Sequence, residues 1–181
     1  MKVIGNLLLC GSAGYALAQL GYHRPYIYSA FVVLISNSLI GILNALKTTE
    51  EGRKAYKITS IVAEMLPLAF INIELYLATG MRQEVALIHG ISAIIPILMD
   101  VFASDQRNEK LKNLVMLGNV ASLTFLAVIE NNIWFGAVAA MGMFIRFGTS
   151  KSGGGDNASE MFAVGNATLS ALAVKGILGE F

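Results

Sequence analysis

Apolar stretches about as long as a bilayer is thick follow one another along the whole chain, divided by short polar connections. A hydrocarbon core takes roughly 20 apolar residues as a helix, within about 17–25. The candidate spans are Val3–Tyr22, Tyr26–Leu46, Ile58–Ala78, Val85–Ala103, Leu111–Ile129, Ile133–Phe147 and Met161–Leu178. Composition agrees: 55% of the 181 residues are hydrophobic and 14% charged, against about 45–50% and about 25% in soluble domains. The expected fold is therefore all-α, a polytopic transmembrane helical bundle of seven spans forming a single transmembrane domain over 1–181. Six spans is the alternative, because the sixth is short and meets the fifth through only Glu130, Asn131 and Asn132. That pair reads as a tight helical hairpin or a re-entrant element. The run after Lys2 is longer than a signal-peptide core and leads into a second apolar segment, so it reads as a retained first helix.

Longer polar connections lie at 47–57, 104–110 and 148–160, the last holding Gly153–Gly155 and expected to be a flexible loop. Pro25 opens the second helix, where its missing N–H is harmless, and Ser104 or Asp105 is placed to cap the fifth. Of the 13 Lys and Arg, only Arg24, Arg82 and Lys175 fall on one side of a seven-span topology. The positive-inside rule then puts the N-terminus in the cytoplasm and the C-terminus on the opposite side; which membrane is not encoded. Tyr22, Tyr26, Tyr28 and Trp134 lie near span boundaries, as interfacial anchors do. Arg146 and Lys175 lie near helix ends and are expected to snorkel.

Four ionisable groups, Glu64, Glu74, His89 and Asp100, lie inside the third and fourth spans. Each costs about 2.5–3.5 kcal/mol or more in hydrocarbon unless it finds a partner or water. A rise of 1.5 Å per residue puts Glu64 roughly at the level of Asp100, and Glu74 roughly at that of His89. His89 and Asp100 are separated by about 20° of helix rotation, Glu64 and Glu74 by about 80°. These four are the candidate substrate or proton path, with Glu74 and His89 as a candidate protonation-coupled pair. Pro67 and Pro96 interrupt backbone hydrogen bonding near the middle of the same helices, freeing carbonyls to line a cavity. The competing reading is structural: a position near the interface, or helix packing, accounts for Asp100, His89 and Glu74 more readily than for Glu64, the deepest.

The amides Asn6, Asn37, Asn44, Asn72, Asn119 and Asn166 within the apolar spans read as interhelical packing residues. Small residues at four-residue spacing (Gly14 and Ala18; Gly136 and Ala140; Ala163, Ala167 and Ala171) form faces that allow close helix approach, within the chain or against another membrane subunit. No phosphate-binding, dinucleotide or zinc-protease motif is present, Cys10 is the one cysteine, and the two histidines are far apart. No cofactor or metal is expected. Ser92 and His89 lie three residues apart, which is no basis for a hydrolase. A net charge of +1 gives no footprint for nucleic acid. The expected partners are the lipid bilayer and, through the small-residue faces, further copies or other membrane subunits. Two functions fit: a small transporter or channel with carboxylates along its path, or a non-catalytic accessory or scaffold subunit of a membrane complex.

Overall fold

The computed structural model describes residues 2–20, 22–102, 108–148 and 156–178, without the side chains of Lys2 and of residues 156–159. Among the described residues the chain forms seven helices and no strand: α1 (Lys2–Leu20), α2 (Pro25–Leu46), α3 (Glu50–Ala78), α4 (Gln83–Phe102), α5 (Asn108–Ile129), α6 (Ile133–Met143) and α7 (Asp156–Leu178). A π-helical turn over Phe144–Gly148 prolongs α6. Six helices are long and apolar enough to cross a membrane by length and composition; α6 with its π turn is the shorter one.

Each helix packs on the next, and α7 closes back onto α1, giving a ring in chain order. α3 also reaches α5 and α7, and 61% of its most apolar window is buried, more than in any other helix long enough to span. α3 is thus the central element. Residues 67–76 are buried at every position except Phe70.

Local chemistry explains the boundaries. α3 starts eight residues before the apolar span at Ile58, within the segment expected to be loop. Thr49 caps it by accepting from the Gly52 N–H at 3.0 Å, Glu50 and Glu51 occupy the first turn, and Lys54 pairs with Glu50 at 2.7 Å. Negative charge at a helix start and an i,i+4 ion pair both favour helix. Between α5 and α6, Asn131 adopts φ +49° and Asn132 accepts from the Trp134 N–H at 2.9 Å. Asparagine tolerates the left-handed conformation and caps the next helix, so these residues form the tight hairpin. The candidate caps Ser104 and Asp105 lie outside the described residues. So does most of the expected flexible loop, although 156–160 already belong to α7.

α1, α3, α5 and α7 begin at the same end of the bundle. There Gly41 of α2 lies so close to its neighbours that a Cβ would stand 2.8 Å from Asn6 Nδ2 of α1 and 2.9 Å from the Tyr56 ring of α3. A larger residue there would have to displace the Asn6 amide and the Tyr56 ring, so glycine favours the close meeting of the three helices at that level.

Candidate functional site

At this same end, α3, α4, α5 and the π turn bring five charged side chains together. Lys112 of α5 reaches Asp100 Oδ2 at 2.9 Å, Glu64 Oε2 at 3.7 Å and Glu109 at closer range. Arg146 pairs with Glu64 Oε1 through Nη1, donates to Glu109 Oε2 at 2.6 Å through Nη2, and to Asn113 Oδ1 at 2.8 Å through Nε. Asn108 donates to Asp100 and to the Pro96 carbonyl, the latter at 2.7 Å. The two cations are the most buried members, with side chains 6% and 5% exposed, whereas Glu109 is 61% exposed and closes the cluster from the solvent side. Three carboxylates face two cations, so the cluster carries one excess negative charge.

The helix faces show how the sequence places these groups. Gly142 packs on Leu68 so closely that a Cβ would lie 2.8 Å from Leu68 Cδ2. Arg146 follows Gly142 by four residues and Glu64 precedes Leu68 by four, so the α6–α3 contact that seats Gly142 also joins Arg146 to Glu64. Gly165 of α7 supports the π turn; a Cβ there would lie 2.7 Å from Ile145. On α5, Asn108, Lys112, Met116, Asn119 and Leu123 are all buried, at the three- and four-residue steps of one inward face. Lys112 therefore points inward by helical phase. Arg146 does not snorkel as expected: it is turned into the bundle, where two carboxylates and an amide meet its donors.

Of the four candidate residues, the structure links Glu64 and Asp100 through Lys112. Glu74 and His89 go separate ways. Glu74, 6% exposed, accepts from the backbone N–H of Tyr26 at 3.2 Å and of Ile27 at 3.5 Å, with Arg24 Nη1 at 3.9 Å. Arg24, at the cap position of α2, makes no side-chain cap bond; the carboxylate of α3 satisfies free amides at that helix start instead.

His89 sits in a neutral network. Its Nδ1 lies 3.1 Å from Asn119 Oδ1 and its Nε2 3.3 Å from Ser122 Oγ, with the Tyr76 ring centroid 4.8 Å away. Asn72 donates to the Asn119 carbonyl at 2.9 Å and to Asn119 Oδ1 at 3.1 Å. Asn119 Oδ1 can only accept, so Nδ1 of His89 carries the proton. Tyr76 bonds the Ser122 carbonyl at 3.0 Å and also its hydroxyl. Asn72 and Tyr76 share a face four residues apart, and Glu74 lies about 200° from Asn72 around the helix. That rotation directs Glu74 to α2 while its neighbours meet α5. Ser92 Oγ donates to the His89 backbone carbonyl at 2.9 Å, not to its ring. Lys175 lies 5.1 Å from the Trp134 ring centroid.

Beside the charge cluster is an open cavity of about 430 Å³ lined by Tyr56, Lys57, Ser60, Ile61, Glu64 and Phe162. Glu64 is the member of the cluster that lines it. Among the described residues no group of three or more His, Cys, Asp and Glu is placed to hold a metal ion. The model of a family described as a domain of unknown function (DUF4791) matches residues 22–175. No curated protein and no solved structure matches the chain.

Proposed function

This chain belongs to the DUF4791 family, and from its buried charges we propose that it is a seven-span membrane transporter or channel that carries protons, with Glu64 at the floor of its entrance. One observation carries the reading: Glu64 both lines the 430 Å³ cavity and holds the cations that tie α3 to α5 and α6. Past Glu64 the central helix is buried almost continuously, the closed side that an alternating-access cycle needs beneath an entrance. With one carboxylate in excess, a proton on Glu64 weakens its hold on Arg146 without leaving the cluster short of negative charge. The α3–α6 contact beneath the cavity is then the element that changes state.

The membrane placement rests on six helices of sufficient length and on the outward stripe Ile88, Ile91, Ile95 and Leu98 of α4, all exposed. α6 with its π turn is about 24 Å long by its residue count, and a modest local thinning accommodates it. Counting it as a seventh span keeps the polar connections rich in Lys and Arg on one face, with the N-terminus cytoplasmic and the C-terminus opposite. Asn157-Ala158-Ser159, which has the form of a glycosylation acceptor, is then cytoplasmic. The native protein is expected to carry no glycan there, checked by glycosidase shift and peptide mass; a glycan would reverse the orientation.

A second reading, as an accessory subunit, has its own support. Ala18 and Ala140 are exposed on the small-residue faces of α1 and α6, and Gly136 and Ala140 line an open groove of about 640 Å³ between α5 and α6. Purification in mild detergent followed by reconstitution separates the two. Transport predicts a protein that migrates without other subunits and acidifies liposomes above the empty-vesicle rate under an inward proton gradient. A defined complex with other subunits and no flux selects the accessory role.

A further inference from the structure

Among the described residues, the free charge at the mouth of the 430 Å³ cavity is positive, although a carboxylate lies in its wall. Glu64 Oε1 is taken by Arg146 and Oε2 faces Lys112 at 3.7 Å. Ser60 spends its hydroxyl proton on Asn37 Oδ1 at 3.2 Å. Lys57, by contrast, is exposed and makes no ion pair among the described residues, and the same holds for Arg53 one turn earlier. Lys54, between them, is held by Glu50 at 2.7 Å.

Lys57, Ile61 and Glu64 lie on one stripe of α3, and Glu64 is about 10 Å deeper than Lys57 along the helix axis. Between those levels the walls are the side chains of Tyr56, Ile61 and Phe162. Lys57 marks the last charged position before the apolar part of α3, the level of the lipid headgroups in the membrane placement above. The site thus combines a cationic rim at headgroup depth with an apolar interior at acyl depth.

We propose that this cavity binds an anionic phospholipid of the adjoining leaflet, its phosphate at Lys57 and Arg53 and the start of an acyl chain against Ile61 and Phe162. Charge complementarity selects the ligand class, because a zwitterionic lipid has no net charge to match the Lys57 and Arg53 cations. The proposal rests on the membrane placement, and a lipid held here occupies the same cavity that the transport reading uses as its entrance.

The test is native mass spectrometry of the full chain in mild detergent, titrated with phosphatidylglycerol, phosphatidylcholine or oleate. Phosphatidylglycerol is expected to be retained over phosphatidylcholine, about fivefold less by Lys57→Gln and more than tenfold less by the Arg53→Gln, Lys57→Gln double variant, on the usual worth of one basic residue near an anionic headgroup. Lys54→Gln, whose charge is already paired, leaves retention unchanged. Ile61→Trp fills the cavity and lowers retention at an unchanged melting temperature. Equal retention of the two phospholipids overturns the proposal, as does an equal loss in Lys54→Gln and Lys57→Gln. Full retention by Ile61→Trp reduces the effect to rim charge and removes the cavity as the site. Displacement of phosphatidylglycerol by equimolar oleate removes the phospholipid as its occupant. Because no gradient is involved, these results stand apart from any flux measurement.

Discussion

Replacing Arg146 with methionine is expected to destabilise the protein by about 3 kcal/mol, measured by reversible unfolding in detergent. Removing one partner of a buried pair costs about 3–5 kcal/mol, because the other charge is left uncompensated. The lower figure applies here. Glu109 is 61% exposed and is solvated when Arg146 is gone, and Glu64 retains Lys112 at 3.7 Å. What is stranded is mainly one oxygen of Glu64 and the Asn113 amide oxygen that accepted from Nε. Adding Glu64→Gln to Arg146→Met is therefore expected to recover about 1–2 kcal/mol of the loss, since it removes the unpaired charge. If Arg146 merely snorkelled to the headgroups, both variants would stay within about 0.5 kcal/mol of the native protein.

Asn119→Leu is the second large effect, at about 2–4 kcal/mol. Its side chain accepts from His89 and from Asn72, and donates to the Val115 carbonyl at 3.0 Å. Leucine leaves Nδ1–H of His89 without an acceptor and takes one of two from the Asn72 amide, both fully or nearly fully buried. An unsatisfied buried donor costs about 1–3 kcal/mol, well above the average of about 0.6 kcal/mol for an interhelical bond whose partners find replacements. Magnitude decides between structure and ornament. A loss near 0.6 kcal/mol means that the network relaxes onto other partners; a loss above 2 kcal/mol, with the His89 imidazole resonance shifted in NMR spectra, means that it is the fixed join of α3, α4 and α5.

The helices were legible because apolar length and short connections constrain them strongly, and the shared level of Glu64 and Asp100 followed from a 1.5 Å rise. Rotation was harder to read. The rise per residue puts Glu74 and His89 at one level, yet α3 presents Asn72 and Tyr76 to α5 and turns Glu74 to α2. The partners of Glu64 are hidden in the sequence for a related reason. Lys112 and Arg146 stand close to polar connections, where long basic side chains can either snorkel or fold inward. The phase of Lys112 with Met116, Asn119 and Leu123, and the four-residue step from Gly142 to Arg146, carry the missing information. Polar composition hid the first two turns of α3 in the same way, although Thr49, Glu50 and Lys54 spell out a helix start.

The most direct test compares two carboxylates inside the bundle that differ in what they face. Proton uptake is measured in liposomes holding wild-type protein, Glu64→Gln or Glu74→Gln, each confirmed to be folded by its melting profile. Glu64 lines the cavity, whereas Glu74 is committed to the start of α2. Glu64→Gln is expected to lose at least about tenfold in rate, the scale of losing one proton-transfer group, and Glu74→Gln to stay within about twofold of wild type. Equal rates in all three proteins, or equal loss in both variants, would contradict the proposed role of Glu64.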